Sequence, residues 1–192
     1  MKKLAVILLA SLTIFALTGC GSGKDPDASK EGETSKYSDA LEVMNAILEV
    51  YTDDQRFAIA GGDSSNMTED APGKFDVSKT EELDYMLGLP ADQAAVIDDA
   101  ASMMHMMNAN TFTGAVYHLT EGTDVTAFAD AVKANILARQ WMCGFPDKLL
   151  IINVDGRYVI TAFGEAEIME IFKTNALSAL SDAQVITEEP IL

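Results

Sequence analysis

The sequence predicts an α+β fold, a two-layer sandwich in which a small, mostly antiparallel sheet carries helices on one face. Three observations lead there. The stretch "KLLIINVDGRYVITAF" sets two apolar runs either side of Asp155-Gly156, a dipeptide suited to the positive φ angles of a tight hairpin turn. Upstream, "TFTGAVYHL" is a strand candidate, apolar on both faces. Between them runs an amphipathic helical stripe. From Thr111 onward the order is therefore strand, helix, strand, strand, helix, and a helix joining two strands implies a crossover.

The elements follow in chain order. "MKKLAVILLASLTIFALTGC" begins with Lys2 and Lys3 and continues as an apolar run from Leu4 to Leu17. That run is too short for a spanning helix and has the proportions of a signal-peptide core. It ends in Leu17-Thr18-Gly19-Cys20, the pattern of a bacterial lipobox. A large aliphatic and two small residues let a peptidase reach the backbone before a cysteine whose thiolate takes a diacylglyceryl group. Residues 1–19 are expected to be a lipoprotein signal peptide, and Cys20 the lipidated N-terminus. Two acyl chains or more satisfy the requirement for stable anchoring. The expected location is the extracytoplasmic face of a bacterial cell membrane.

Gly21 to Lys36, "GSGKDPDASKEGETSK", is small, polar and charged. It reads as a flexible linker (residues 20–37 with its anchor), long enough to hold a domain about 20–25 Å from the lipid. Residues 38–182 are then expected to form one domain. "SDALEVMNAILEVY" places Leu41, Met44, Ile47, Leu48 and Tyr51 at helical spacing, with Ser38 as the N-cap. "AGGDSSNMTEDAPGK" reads as a loop. The acids Asp53, Asp54, Asp63, Glu69 and Asp70 in and around it fit no calcium-loop spacing and are expected to be solvated. Asn66-Met67-Thr68 forms a glycosylation sequon that a bacterial setting makes a chance match.

"KTEELDYMLGL" predicts a short helix or turn ending near Gly88-Leu89-Pro90. "ADQAAVIDDAASMMHMMNAN" is rich in alanine and methionine, which favours helix, although Val96-Ile97 leaves room for a strand. In "GTDVTAFADAVKANILARQW", Thr123 reads as N-cap and Val125, Phe128, Ala129, Val132 and Ile136 share one stripe. "EAEIMEIFKTNALSAL" places Ile168, Met169, Phe172, Ala176 and Leu180 on another. Residues 183–192, "AQVITEEPIL", are expected to be a less ordered tail.

The lipobox Leu17-Thr18-Gly19-Cys20, the strand "GAVYHL", the helix running to Ala138-Arg139-Gln140, the hairpin "LLIINVDGRYVITAFG" and the closing helix through Phe172 carry a resemblance. The chain resembles small lipoproteins of Gram-positive anaerobes that carry a C-terminal domain of unknown function. The likeness covers roughly the last hundred residues. Members of that family tend to have Ala-Asp-Glu entering the first strand, where this chain has Phe112-Thr113-Gly114. The resemblance implies fold and location, and it implies no activity.

Charge excludes one class of function. The chain has 192 residues, with 13 basic against 30 acidic and a net charge of −17. Removing residues 1–19 takes away Lys2 and Lys3 and no acid, leaving a net −19. Such a surface repels nucleic acid, whose affinity comes largely from lysine and arginine displacing counterions.

Chemistry is sparse. "SMMHMMNAN" sets four methionines around His105, and thioether with imidazole is a soft-metal donor set. On a helix, Met103, Met106 and Met107 would share a sector of about 100°. Met is also common core filler, and packing is the expected role. Cys143 lies between Trp141-Met142 and Gly144-Phe145-Pro146, surroundings that predict burial. A Cys–His pair would need it beside His105 or His118. No Gly-x-Ser-x-Gly elbow, His-Glu-x-x-His or phosphate-cradling glycine loop is present.

The expectation is a membrane-anchored, non-catalytic binding or interaction module. Its partners would be membrane lipid through the anchor, and an envelope protein or small ligand, with no cofactor and no nucleic acid. Two alternatives belong to other classes. One is a copper-binding envelope protein using Met103, His105, Met106 and Met107; the other is an envelope enzyme whose site sequence order hides.

Overall fold

The computed structural model describes residues 35–191; the expected signal peptide, Cys20 and most of the expected linker lie outside the described residues. An antiparallel sheet of eight strands organises the chain. In order along the chain the elements are α1 (Ala40–Glu49), β1 (Ile59–Gly61), β2 (Thr68–Glu69), β3 (Gly73–Lys74) and α2 (Thr80–Glu82), which runs on as a wider helical turn over Leu83–Leu87. Then come β4 (Ile97–His105), β5 (Phe112–Leu119), α3 (Val125–Leu137), β6 (Lys148–Val154), β7 (Tyr158–Gly164), α4 (Ala166–Ala179) and β8 (Ala183–Pro190). The spatial order is β2-β1-β4-β5-β7-β6-β8, with β3 also paired to β4.

The α+β class and the antiparallel sheet follow the sequence reading. The layering does not: helices cover both faces. Side chains alternate along the strands, so Leu150, Ile152, Ile160, Ala162 and Val116 meet α1 and α4. Leu149, Ile151, Val159, Phe163 and Tyr117 meet α3 and the segment around Leu83, Leu87 and Leu89. Topology explains why. The chain crosses from β5 over β7 to β6 through α3, and from β7 over β6 to β8 through α4. Both crossovers move the same way across the sheet but start from strands pointing in opposite directions. Two connections of one hand must then use opposite faces.

The helices carry their expected stripes with shifted caps. Asp39, not Ser38, caps α1, its carboxylate accepting from the Glu42 amide at 2.8 Å. Ser38 instead donates its hydroxyl and backbone N–H to the Glu42 side chain. Asp124, not Thr123, caps α3, accepting from the Thr126 and Ala127 amides. A carboxylate beside the positive end of a helix gains more than a hydroxyl there. Each acid sits next to the predicted residue, so the stripes survive: Phe128, Ala129, Val132 and Ile136 of α3 are buried, as are Met169, Phe172 and Ala176 of α4.

Three boundaries change. The linker is shorter than expected, because Tyr37 is buried in the α1 core and its carbonyl accepts from the Tyr158 hydroxyl at 3.1 Å. The tail is not a tail. Residues 183–190 form β8, paired antiparallel with β6, and Ile191 is buried beyond it. The alanine- and methionine-rich stretch is mainly strand: Ala91–Val96 makes a short 3₁₀ turn, and Ile97–His105 is β4, between β1 and β3 on one side and β5 on the other. Helix propensity differs by only tenths of a kcal/mol per residue, and two flanking ladders outweigh it.

Candidate functional site

The strand assignment decides the fate of the methionine cluster. Successive residues of β4 face opposite sides, so Met103 is buried against α1 while Met104 points to the α3 side. Met106 and Met107 lie beyond the strand and are exposed. Met103, Met106 and Met107 therefore share no face. His105 stacks on Phe57 with ring centroids 5.6 Å apart. Its Nδ1 accepts from the amides of Met107 and Asn108, both at 3.3 Å, and so shapes the start of the β4–β5 connection. Among the described residues, no group of three or more His, Cys, Asp or Glu side chains could hold a metal ion.

His118 on β5 contacts the Asp98 carboxylate at 2.5 Å and lies against the Tyr158 ring. Cys143 corrects an expectation, being exposed with φ +62° in a turn rather than buried. Its surroundings are apolar in sequence, but Met142 and Phe145 are exposed too. The run predicted burial because local composition does not reveal which way a loop faces. Among the described residues no hydrogen bond joins Cys143 to either histidine. Asp63 is likewise not a solvated loop acid. It is buried, and Lys79 donates to it at 2.5 Å.

What the sequence reading missed is a cavity at the end of the sheet where α3 runs into β6. The connection over residues 138–147 has no regular structure, and the β4–β5 connection lies beside it. Two asparagines clamp them together. Asn108 donates to the Cys143 carbonyl at 2.9 Å, and Asn110 donates to the carbonyls of Met142 at 2.8 Å and Gly144 at 3.0 Å. The β7 end closes in because Gly164 has no side chain; a Cβ there would come 2.3 Å from the Thr111 carbonyl oxygen. Between these connections and the Tyr85-Met86 segment lies a space of about 390 Å³. That is within the usual range for a small-molecule site.

Its walls are apolar and sulfur-rich: Met86, Met104, Trp141, Met142 and Phe163. Trp141 and Phe163 pack with ring centroids 5.1 Å apart. The indole Nε1–H is buried without a hydrogen-bond acceptor among the described residues. One charge lies in this setting. The half-buried Arg139 guanidinium sits 5.4 Å from the Trp141 ring centroid and 5.9 Å from that of Phe163. Through Nη2 it donates to the carbonyl oxygens of Asp84 and Tyr85, both at 2.5 Å. Burial lowers its pKa from the ordinary arginine value, while the Asp84 charge acts the other way. An arginine so placed stays protonated. Asp84 itself faces Asn135, which donates to its carboxylate at 2.8 Å.

A smaller cavity of about 240 Å³ lies on the α1 side, against Tyr51, Phe57 and Met103. Its arginine, Arg56, is exposed and donates to the Leu48 carbonyl at 3.3 Å, so no half-buried cation lies in its lining. No family model, curated protein or solved structure matches the chain.

Proposed function

We propose that the protein is a lipid-anchored, extracytoplasmic binding domain of a bacterial cell envelope, held by an acylated Cys20. Its ligand occupies the cavity beside Trp141 and leaves chemically unchanged. The observation that carries this reading is a space of ligand size whose walls are already in place, clamped by Asn108 and Asn110. Tyr85 and Arg139 are the titratable side chains along its lining. A linker from Gly21 to its end before Tyr37 is long enough to give the domain reach from the bilayer.

Two experiments test the two halves. Cys20→Ala should abolish incorporation of labelled fatty acid and leave unprocessed precursor; equal labelling of both proteins rejects the anchor. Residues 35–191 contain both cores and every strand, so the chain from Gly21 onward carries the whole described fold. That soluble form should show a rise in melting temperature with a small envelope-derived compound, by mass action. Ala109 is exposed at the cavity wall, so Ala109→Phe should fill the space and remove the effect. A shift indifferent to Ala109→Phe would place the ligand elsewhere.

A further inference from the structure

We propose that the cavity is a site for a small aromatic monocarboxylate, its ring against Trp141 and its carboxylate on the Arg139 guanidinium. This rests on the cavity being the binding site and names what enters it.

Acids outnumber bases by more than two to one in this chain, and its buried or half-buried cations normally find one. Lys79, Lys133, Lys148 and Lys173 each form an ion pair with at least one carboxylate. Arg139 is half-buried among aromatic rings, yet no carboxylate among the described residues comes within ion-pair distance. Its hydrogen bonds run from Nη2 to two backbone carbonyls. The Nη1 and Nε donors have no acceptor among the described residues. A half-buried guanidinium without an ion-pair partner and with donors left open leaves room for an entering anion. Guanidinium presents two parallel donors that match a carboxylate.

The walls select the rest of the ligand. Trp141 and Phe163 offer ring faces and edges, and Met86, Met104 and Met142 offer polarizable, adjustable thioethers. The buried Trp141 Nε1–H is a second donor without an acceptor. A space of about 390 Å³ suits one ring with a short acid chain. One cation within a strongly acidic protein favours a single negative charge, which argues against phosphate esters and other dianions.

Trp141 is the chain's single tryptophan, so its fluorescence reports directly on this site. The soluble form from Gly21 is titrated with 3-phenylpropionate, with its uncharged amide, and with inorganic phosphate. The acid should change Trp141 emission and bind at least about tenfold more tightly than the amide, a difference of about 1.4 kcal/mol. Phosphate should leave the emission unchanged. Arg139→Gln should erase the preference for the acid. Because Arg139 also braces the Asp84 and Tyr85 carbonyls, a second variant guards against simple misfolding. Met142 is 80% exposed, so Met142→Asp leaves the fold intact and sets a repelling charge at the mouth. It should weaken the acid several-fold more than the amide.

Equal affinity for acid and amide overturns the inference, as does the absence of any emission change up to the solubility limit. So does a preference for the acid that both variants leave untouched. If the acid fails while another compound gives a thermal shift sensitive to Ala109→Phe, the carboxylate assignment falls and the cavity remains the binding site. If no compound gives such a shift, the cavity reading falls as well.

Discussion

Asn110 donates from its side-chain nitrogen to the Met142 carbonyl at 2.8 Å, across 32 residues of sequence, and so fixes one wall of the cavity to the other. The same nitrogen reaches the Gly144 carbonyl at 3.0 Å. Asn110→Asp keeps the shape but can only accept, setting a carboxylate against two carbonyl oxygens. It should destabilise by about 1–3 kcal/mol in urea unfolding, more than Asn110→Ala. Trp141 emission should shift to the red as the connection over residues 138–147 opens. Unchanged stability and emission in both variants would show that the clamp is incidental.

The β6–β7 hairpin turns on two residues with positive φ, Asp155 at +51° and Gly156 at +77°. A side chain at Gly156 would meet no atom within 4 Å, so any cost of adding one there is backbone strain alone. Gly156→Val should lower stability by about 1 kcal/mol or more, and Gly156→Asn by less, since asparagine tolerates this region. Chemical denaturation of the three proteins separates these outcomes. Equal losses for Val and Asn would mean that something other than φ sets the cost.

The methionines should divide by burial. Met103 is fully buried against α1, and Met103→Ala should cost about 2–5 kcal/mol. Met107 is 83% exposed, and Met107→Ala should stay within about 0.5 kcal/mol. Titration with Cu(I) against a competing chelator, under reducing conditions and in a Cys143→Ser background, should show no tight binding that depends on Met103, Met106 or Met107. Stoichiometric, methionine-dependent binding would restore the soft-metal alternative.

Stability should depend on Asp63 in acid. Its buried carboxylate accepts from Lys79, and from the amides of Ser65 at 2.9 Å and Asp76 at 3.2 Å. The Lys79 hydrogen bond, the largest cause, holds its pKa down at about 2. The folded value lies below the unfolded one, so the carboxylate stabilises the fold above about pH 4 and loses that contribution as pH falls toward 2. The contribution is roughly 2 kcal/mol. The gap in unfolding free energy between wild type and Asp63→Asn should narrow across that interval. A gap constant with pH would remove Asp63 as its source.

Local patterns made much of the fold legible. The two apolar runs flanking Asp155-Gly156 located β6 and β7, and the stripes from Val125 and Ile168 located α3 and α4. These signals survive because hydrophobic periodicity and turn chemistry are properties of a few neighbouring residues. The β-branched run Val185-Ile186-Thr187 was a signal for β8 that the acids and proline around it obscured.

The sequence by itself determined the elements whose pattern is local, the expectation of a lipidated Cys20, and the acidity that disfavours nucleic acid. Tertiary structure alone decided that β4 is a strand, because its backbone groups are satisfied by ladders to β1, β3 and β5 rather than within its own segment. It also decided that helices occupy both faces, since crossover direction belongs to the order of strands and not to any one of them. The cavity has the same origin. Tyr85, Met104, Asn110, Arg139 and Phe163 are far apart in the chain, and no spacing rule links them. They meet because two connections and the helical turn at Tyr85 converge at one end of the sheet, which sets a half-buried arginine among aromatic rings that lie far from it in the chain.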